Sequence, residues 1–323
     1  MDAAAPKLVL APIRGITDCI YRTALQQWFP GFDRAVSPFI QLRRGHSLRP
    51  GDVRQLAPEN NRVLPVTPQV LTNHAETFTQ GLRQLRDLGY AEANWNLGCP
   101  SPTVAGRGRG AGLLPHPDRI RAILDAVFST STVRLSVKLR LGRHDPSEAT
   151  AVLAVLNRYP LSEVILHPRT ADQLYDGELD IPRTREALSA CRHPFVLSGG
   201  VSTMEGFTEL SKQLPEVSAW MIGRGALSCP SLPARIKGKL SAENGTSREA
   251  LRGFHDELFA GYSEWLSGPG HLLAKMTEHW VYLSTCFARP KHVFVRIRRS
   301  RDPERFRENV EWAFEQPMAP VMR

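Results

Sequence analysis

The sequence has no apolar run of the roughly 18 residues that a membrane-spanning helix requires. Its N-terminus lacks the charged stretch followed by an apolar one that marks a secretion signal, so we expect a cytoplasmic protein. The five cysteines are odd in number, and none of them forms a Cys-x-x-Cys pair. This spacing argues against a disulfide framework and a structural zinc site, and we predict no bound metal.

Acidic residues are also scarce relative to basic ones. The 323 residues include 41 Lys and Arg against 32 Asp and Glu, which gives a formal net charge of +9 at pH 7. A folded protein with this excess tends to bind polyanions, so a nucleic acid is the first partner to consider. Hydrophobic residues make up 42% of the chain, which is enough for a sizeable core and excludes a disordered protein.

Short apolar segments rich in β-formers recur along the first three-quarters of the chain and alternate with amphipathic helical segments. About eight such units over about 240 residues match the size of a (β/α)8 TIM barrel, and a doubly wound open sheet ranks second. The predicted strands are 8–11, 35–40, 63–71, 93–97, 133–139, 164–167, 195–198 and 219–222, and the predicted helices between them include 75–88, 118–128, 147–157 and 204–214.

The strand pattern stops at a polar, turn-forming segment, residues 241–247. We therefore predict a catalytic TIM barrel at 1–240 and an all-helical domain at 241–323. A Ser-Gly-Pro-Gly sequence at 267–270 breaks the helical periodicity of the second part. The helices predicted there are 248–266, 271–287 and 303–314.

Residues 289–307 of the helical part carry eight basic and two acidic residues, and Arg298 and Arg299 lie in the middle. One interpretation is a solvated helix surface. The other is a phosphate-binding patch, because the planar guanidinium group suits phosphate oxygens. Charge patterning alone leaves both open.

Cys99 follows the fourth predicted strand directly, between Gly98 and Pro100. Functional groups of a TIM barrel gather at the C-terminal ends of its strands, so this turn aims the thiol at the barrel mouth. Free cysteines are often buried and structural, but a place in a Gly/Pro turn favours a functional thiol, either a nucleophile or a proton donor. The glycine-rich segment 106–112 predicts a mobile loop over this thiol.

Two glycine turns follow the last two predicted strands. The seventh strand ends in Ser198-Gly199-Gly200, and the eighth is followed by Gly223-Arg224. Glycines let backbone N–H groups approach an anion, and the loops after strands seven and eight are the usual phosphate site of a TIM barrel. We therefore expect a phosphorylated ligand or cofactor at these turns.

Other strand ends add polar groups to the same mouth. Lys138 lies between apolar residues of the fifth strand, and it either points inward toward an anion or snorkels to the rim. His167, after the sixth strand, is either a donor to a ligand or a satisfied imidazole, and Gln69 taken alone is structural. Pro12 and Ile13 are placed to pack against a flat ring. A phosphate site, an inward lysine and a thiol together suit flavin mononucleotide, FMN.

The sequence resembles the tRNA-dihydrouridine synthases, and most of all their bacterial C-type subfamily. The most specific motif is Asn96-Leu97-Gly98-Cys99-Pro100 followed by the glycine-rich segment. The resemblance implies a TIM-barrel enzyme that uses FMN and NADPH to reduce a D-loop uridine of tRNA, position 16 in the C-type enzymes, to 5,6-dihydrouridine. Further matching stretches, in family order, are 11–18, 68–70, 137–142, 167–170, 221–227 and 270–283.

The resemblance also implies a role for each matching residue. Cys99 would donate a proton to C5 of the base, on the face opposite the incoming hydride. The uridine would be flipped out of the tRNA to reach the site, and we expect the protein to act as a monomer. FMN would be held by Pro12, Ile13, Arg14, Gln69, Lys138, His167, Ser198, Gly199, Gly200, Gly223 and Arg224; the uracil by Asn96 and Tyr175; and the tRNA by Lys275, Arg298 and Arg299.

Several positions depart from the family pattern, and other functions stay open. Ser198-Gly199-Gly200 replaces the usual Asn-Gly-Asp or Asn-Gly-Glu, and Arg14 replaces Gly, Ala or Glu. The first departure would suit a catalytically impaired tRNA-binding protein that keeps the barrel, although Cys99 and Lys138 speak against it. An FMN barrel oxidoreductase acting on a small molecule is the third possibility, and the net positive charge and helical tail speak against that one.

Overall fold

A computed structural model describes residues 5–240 and 246–320 of the chain. Its strands form a single sheet in which every neighbouring pair is parallel. The strands are β1 (Lys7–Leu10), β2 (Arg34–Val36), β3 (Ile40–Gln41), β4 (Val66–Thr67), β5 (Gln69–Leu71), β6 (Glu92–Leu97), β7 (Arg134–Gly142), β8 (Val164–Thr170), β9 (Phe195–Ser198) and β10 (Ala219–Ile222).

The sheet closes into a barrel with eight positions, as the sequence predicts. Strand β1 pairs with β10 on one side and with β2 on the other, which closes the ring. Two of the eight barrel strands are each split into two short pieces. The second barrel strand consists of β2 and β3 and the third of β4 and β5, because β2 pairs with β4 and β3 with β5. Each split strand is interrupted at a proline, Pro38 or Pro68, which has no N–H to donate to the ladder.

The helices of the first part cover the outside of this barrel. Strand β6 shows the alternation that sorts its side chains: Trp95 faces outward against Phe78, with ring centroids 5.3 Å apart, while Asn94 and Asn96 face the interior. The helices are α1 (Cys19–Trp28), α2 (Pro50–Leu56), α3 (Ala75–Asp87), α4 (Pro102–Ala105), α5 (Pro117–Phe128), α6 (Glu148–Leu156), α7 (Ile181–Ala190), α8 (Met204–Gln213), α9 (Arg224–Ser228) and α10 (Leu232–Ile236).

The second part of the chain is helical, as predicted, and it packs directly on α1. Tyr21 of α1 lies edge-on to Phe254, with centroids 5.5 Å apart, and the two sides share one hydrophobic core. Gly253 permits a close approach, because a Cβ there would lie 2.1 Å from the ring of Trp28. These helices are α11 (Arg248–Trp265), α12 (Pro269–Leu283), α13 (Pro290–Arg298) and α14 (Pro303–Glu315).

The main difference from the predicted helices is α13, which coincides with the basic segment. Val293 and Ile297 are buried four positions apart and Phe294 packs beside them, but the helix has only nine residues and several of them are basic. The proposed boundary between residues 240 and 241 stays a prediction, since 241–245 lie outside the described residues. In the described part of the chain, no helix is long and apolar enough to cross a membrane.

Candidate active site

Cys99 sits in a tight turn that its neighbour Asn96 holds in shape. The Oδ1 atom of Asn96 accepts hydrogen bonds from the backbone N–H groups of Gly98 (3.1 Å) and Cys99 (2.9 Å). Burial raises the pKa of the Cys99 thiol, and nearby Arg140 and Arg14 lower it only in part. The sulfur is therefore a protonated thiol at neutral pH, which suits a proton donor better than a nucleophile.

The glycine-rich segment packs against this turn instead of standing free. Gly110 has a φ of +55°, and a Cβ on it would lie within about 3.0 Å of the Cys99 backbone and Cβ. The backbone N–H of Ala111 donates to the Cys99 carbonyl at 3.1 Å. Gly110, Ala111 and Gly112 are all buried, so the second half of the segment serves close packing, whereas Gly106 and Arg107 are exposed.

An amide network lies inside the barrel beside this turn, and we define it as Gln69, Asn94, Asn96 and Ser136. Gln69 is fully buried and uses both ends of its amide: Nε2 donates to Asn94 (2.8 Å), and Oε1 accepts from Asn96 (2.7 Å). Asn94 in turn donates to Ser136 Oγ at 3.0 Å. Gln69 is predicted to contact FMN and Asn96 to contact uracil, and both side chains already have hydrogen-bond partners inside the protein.

A cation cluster lies next to the amide network, and we define it as Lys138, Arg140, His167 and Arg169. Burial lowers the pKa of Lys138 to about 7, with a further contribution from the positive charge of Arg140. The pKa of His167 also falls well below its usual value, first through burial and then through Lys138, Arg140 and Arg169. Among the described residues, no carboxylate forms an ion pair with Lys138 or Arg140. Buried cations without a counter-ion indicate a site for an anion.

Tyr175 lies over the cation cluster on the loop after β8. Its ring is half-exposed and has Arg224 at 4.4 Å, Arg140 at 5.1 Å and His167 at 6.1 Å from its centroid. Arg140 fixes this loop, because its Nη1 donates to the carbonyls of Thr170 (2.8 Å) and Leu174 (2.6 Å). The aromatic ring is thus presented at the mouth as an accessible flat surface.

The two glycine turns lie beside His167 and the β1 loop, as the order of strands predicts. Gly199 has a φ of +109°, and a Cβ on it would lie 2.7 Å from His167 Cε1, so no larger residue fits. Gly200, at φ +81°, would meet Leu179 in the same way. Gly223 approaches Ala11 and Ile13, and Ser198 is buried at the end of β9. Arg224 is exposed beside Tyr175.

The loop after β1 carries Pro12, Ile13 and Arg14 to the mouth. Thr17 holds it through its hydroxyl, which accepts from the Ile13 N–H at 2.8 Å. Arg14 is exposed, stacks over Phe39 at 5.5 Å and lines a cavity of about 160 Å³. The positive charge of Arg14 also lowers the pKa of the Cys99 thiol slightly.

The three residues predicted to bind tRNA do not belong to this cluster. Arg298 and Arg299 are exposed at the end of α13. Lys275, on α12, is largely buried and pairs with Asp18 at 2.9 Å. Within residues 5–240 and 246–320, no three His, Cys, Asp or Glu side chains are grouped so that they could hold a metal ion.

Sequence reasoning did not single out Ser136, Asn94 and Arg169 as members of the site. Strand alternation contains the signal for the first two, because Ser136 is two residues before Lys138 and Asn94 two before Asn96. Arg169 follows two residues after His167 on the same strand, and its Nη1 lies 3.5 Å from His167 Nε2. Examining the residues two positions before and after each predicted inward residue would have found them.

Solved structures with a similar fold include the old yellow enzyme homologue from Zymomonas mobilis. It aligns with a TM-score of 0.55 at 12% sequence identity, covering 76% of this chain and 91% of that one. Morphinone reductase aligns with a TM-score of 0.52 at 10% identity, covering 73% and 86%. These likenesses support the barrel fold.

Sequence comparison gives a more specific result. A tRNA-dihydrouridine(16) synthase from Ralstonia nicotianae is 29% identical over 73% of this chain and 74% of its own length. One from Neisseria meningitidis serogroup B is 25% identical over 97% of this chain and 96% of its own length. The family model described as "Dihydrouridine synthase (Dus)" matches residues 9–311. The chain therefore belongs to the dihydrouridine synthase family.

Proposed function

We propose that this protein is a flavin-dependent tRNA-dihydrouridine synthase that reduces the uridine at position 16 of the D-loop, with NADPH as the source of hydride. Membership in the family and the two relatives named for position 16 support the reaction and the choice of uridine. The observation that carries the proposal is a protonated Cys99 beside Lys138 and Arg140, neither of which forms an ion pair with a carboxylate among the described residues.

The residues present fit FMN. Its phosphate carries negative charge, and we assign it to the turns at Ser198, Gly199, Gly200 and Gly223, beside the exposed guanidinium group of Arg224. Lys138, His167 and Gln69 are assigned to the isoalloxazine ring and ribityl chain, and Pro12, Ile13 and Arg14 to the edge of the ring. When bound, FMN supplies the hydride that reduces C6 of the base.

Cys99 supplies the proton that completes the reduction at C5 of the base. Its raised pKa keeps the proton on sulfur at neutral pH until a carbon of higher basicity is available. Tyr175 offers an accessible ring at the mouth against which the uracil packs. Asn96 fixes the direction of the Cys99 turn and is also assigned to the uracil.

The tRNA is the substrate, and its target base must leave the stack to reach a thiol at a barrel mouth. Exposed arginines of the basic segment, including Arg298 and Arg299, are assigned to tRNA phosphates. A monomeric state and a cytoplasmic location complete the proposal.

The test is the dihydrouridine content of tRNA from cells with and without the gene, measured by mass spectrometry and mapped by sequencing. The proposal predicts that dihydrouridine at position 16 disappears with the gene and returns when the wild-type gene is restored. Restoring the Cys99→Ala variant should not bring it back. Unchanged dihydrouridine at position 16 would overturn the assignment and favour a tRNA-binding protein without this activity.

A further inference from the structure

Lys275 lies at the junction between the helical part and the barrel, and its ammonium group is already engaged. Its Nζ pairs with Asp18 Oδ2 at 2.9 Å and also donates to the carbonyl of Gly15. Both charged side chains are only 15% exposed. The same Nζ lies 4.8 Å from the centroid of the Tyr262 ring, which covers it from another side. A lysine held this way differs from the free surface cations that contact nucleic acid phosphates.

Asp18 connects this lysine to three elements at once. It caps α1, because its Oδ1 accepts from the Tyr21 N–H at 3.0 Å. The same Oδ1 accepts from the hydroxyl of Tyr262 at 2.7 Å, and this hydroxyl lies 3.1 Å from His279 Nε2. The carboxylate therefore satisfies partners on α1, α11 and α12 together, and each of them depends on its position.

The segment between β1 and α1, residues 11–18, is the one that Lys275 fastens. Its first half carries Ile13 and Arg14 to the barrel mouth, where Ile13 lies against Gly223. Its second half is bound at Gly15 and Asp18 by Lys275, and Thr17 links the halves through Ile13. A displacement of Asp18 would therefore be transmitted to the part of the segment that lines the active site.

We propose that Lys275 is a positioning residue: it fixes the 11–18 segment and thereby the edge of the cofactor site, and it does not act as a phosphate ligand of tRNA. The identity of the cofactor in this inference rests on the proposed function. Without the ammonium group, the negative charge of Asp18 is largely buried and has no cationic partner. The segment must then shift or admit water to solvate the carboxylate.

The test compares Lys275→Met with Lys291→Met, a matched change at an exposed lysine of α13. FMN affinity is measured by fluorescence titration, and tRNA affinity is measured at several salt concentrations. We expect Lys275→Met to weaken FMN binding about tenfold with an unchanged salt slope, and Lys275→Arg to restore it. Lys291→Met should leave FMN binding unchanged and lower the salt slope by about 0.9 for one lost phosphate contact.

A double-mutant cycle with Asp18→Asn identifies the partner. If Lys275 acts through Asp18, the double variant Asp18→Asn/Lys275→Met binds FMN about as well as either single variant. A salt slope that falls in Lys275→Met as it does in Lys291→Met, with FMN affinity intact, would overturn the inference and make Lys275 a tRNA contact.

Hydrogen exchange of residues 11–18 separates this inference from the proposed function. Lys275→Met should speed exchange in this segment whether or not the protein binds FMN, while Lys291→Met should not. Absence of FMN binding in the wild type would defeat the proposed function alone. If hydrogen exchange of residues 11–18 is unchanged in the Lys275→Met variant, the positioning role is refuted and the proposed function is not affected.

Discussion

The amide network and the cation cluster lie side by side in the barrel. They differ in how their polar groups are compensated for the loss of contact with water. In the amide network, Gln69 gives each end of its amide a partner inside the protein. In the cation cluster, Lys138 and His167 have lowered pKa values, because burial and neighbouring positive charges disfavour their charged forms. Arg140 donates to backbone carbonyls, but Lys138 has no carboxylate partner among the described residues.

This difference separates support from binding. Buried polar groups with complete hydrogen bonds specify a structure, whereas buried cations without counter-ions store unfavourable energy that an anionic ligand releases. The amide network holds Cys99 through Asn96, and Arg140 of the cation cluster also contacts this turn, because its Nε donates to the Gly98 carbonyl at 3.0 Å. We assign the cofactor to the cation cluster. The following changes test this division between the two regions.

The largest effect should come from Cys99→Ala, which removes the proton source and leaves both regions in place. We expect kcat/KM for tRNA to fall by about 10²–10⁴-fold, since this is the usual contribution of a positioned proton donor. Anaerobic mixing of reduced enzyme with tRNA measures the step. FMN affinity of the variant should equal that of the wild type. Turnover at the wild-type rate would contradict the proton-donor role.

Lys138→Met should break the cation cluster alone. We expect FMN affinity to fall by about 10- to 100-fold at pH 7, the size of one buried charge-assisted contact. In the wild type, Lys138 must be charged to donate a charge-assisted hydrogen bond to the isoalloxazine ring assigned to it, and its pKa in the free chain is about 7. FMN affinity should therefore be full below pH 7 and fall by up to about tenfold per pH unit above it.

The same titration with Lys138→Met provides the control, because the pH dependence should disappear with the titrating group. A pH profile that is identical in the variant and the wild type would assign the dependence to another residue. Fluorescence titration between pH 6 and pH 9 measures both proteins.

Gln69→Met should break the amide network. The change removes the partner of Asn94 Oδ1 and of Asn96 Nδ2, so we expect the free energy of unfolding to fall by about 1–3 kcal/mol. Chemical denaturation measures this loss. Gln213→Met, at a partly exposed position of α8, is the matched control and should stay within about 0.5 kcal/mol of the wild type. Equal stabilities of the two variants would show that the network is not structural.

The smallest effect should come from replacing exposed cations, because these side chains are hydrated and carry no desolvation cost. Replacing Arg298 and Arg299 with Ala should weaken tRNA binding and reduce the salt slope by about 0.9 for each lost phosphate contact. Lys212→Ala, on the exposed surface of α8, should leave the slope unchanged. An unchanged slope in the Arg298/Arg299 variant would identify the basic segment as a solvated helix surface.

The sequence predicts the barrel, the helical part and the place of Cys99, because strand ends and glycine turns are local features of the chain. It does not reveal that Asn96 and Gln69 bind each other, because this contact depends on the exact register of β5 against β6. Lys275 is the clearest example of what stays hidden: its motif suggests a tRNA contact, but its partner Asp18 is 257 positions away and meets it only after the helices pack on α1.

The most direct test of the account is the stoichiometry of FMN in the purified protein. Absorption spectroscopy after reconstitution and removal of free flavin should show one FMN per chain, because the cation cluster needs an anionic ligand and the glycine turns fit its phosphate. A colourless protein that takes up no FMN at pH 7 would contradict the central claim that the buried cations of this barrel form a flavin site.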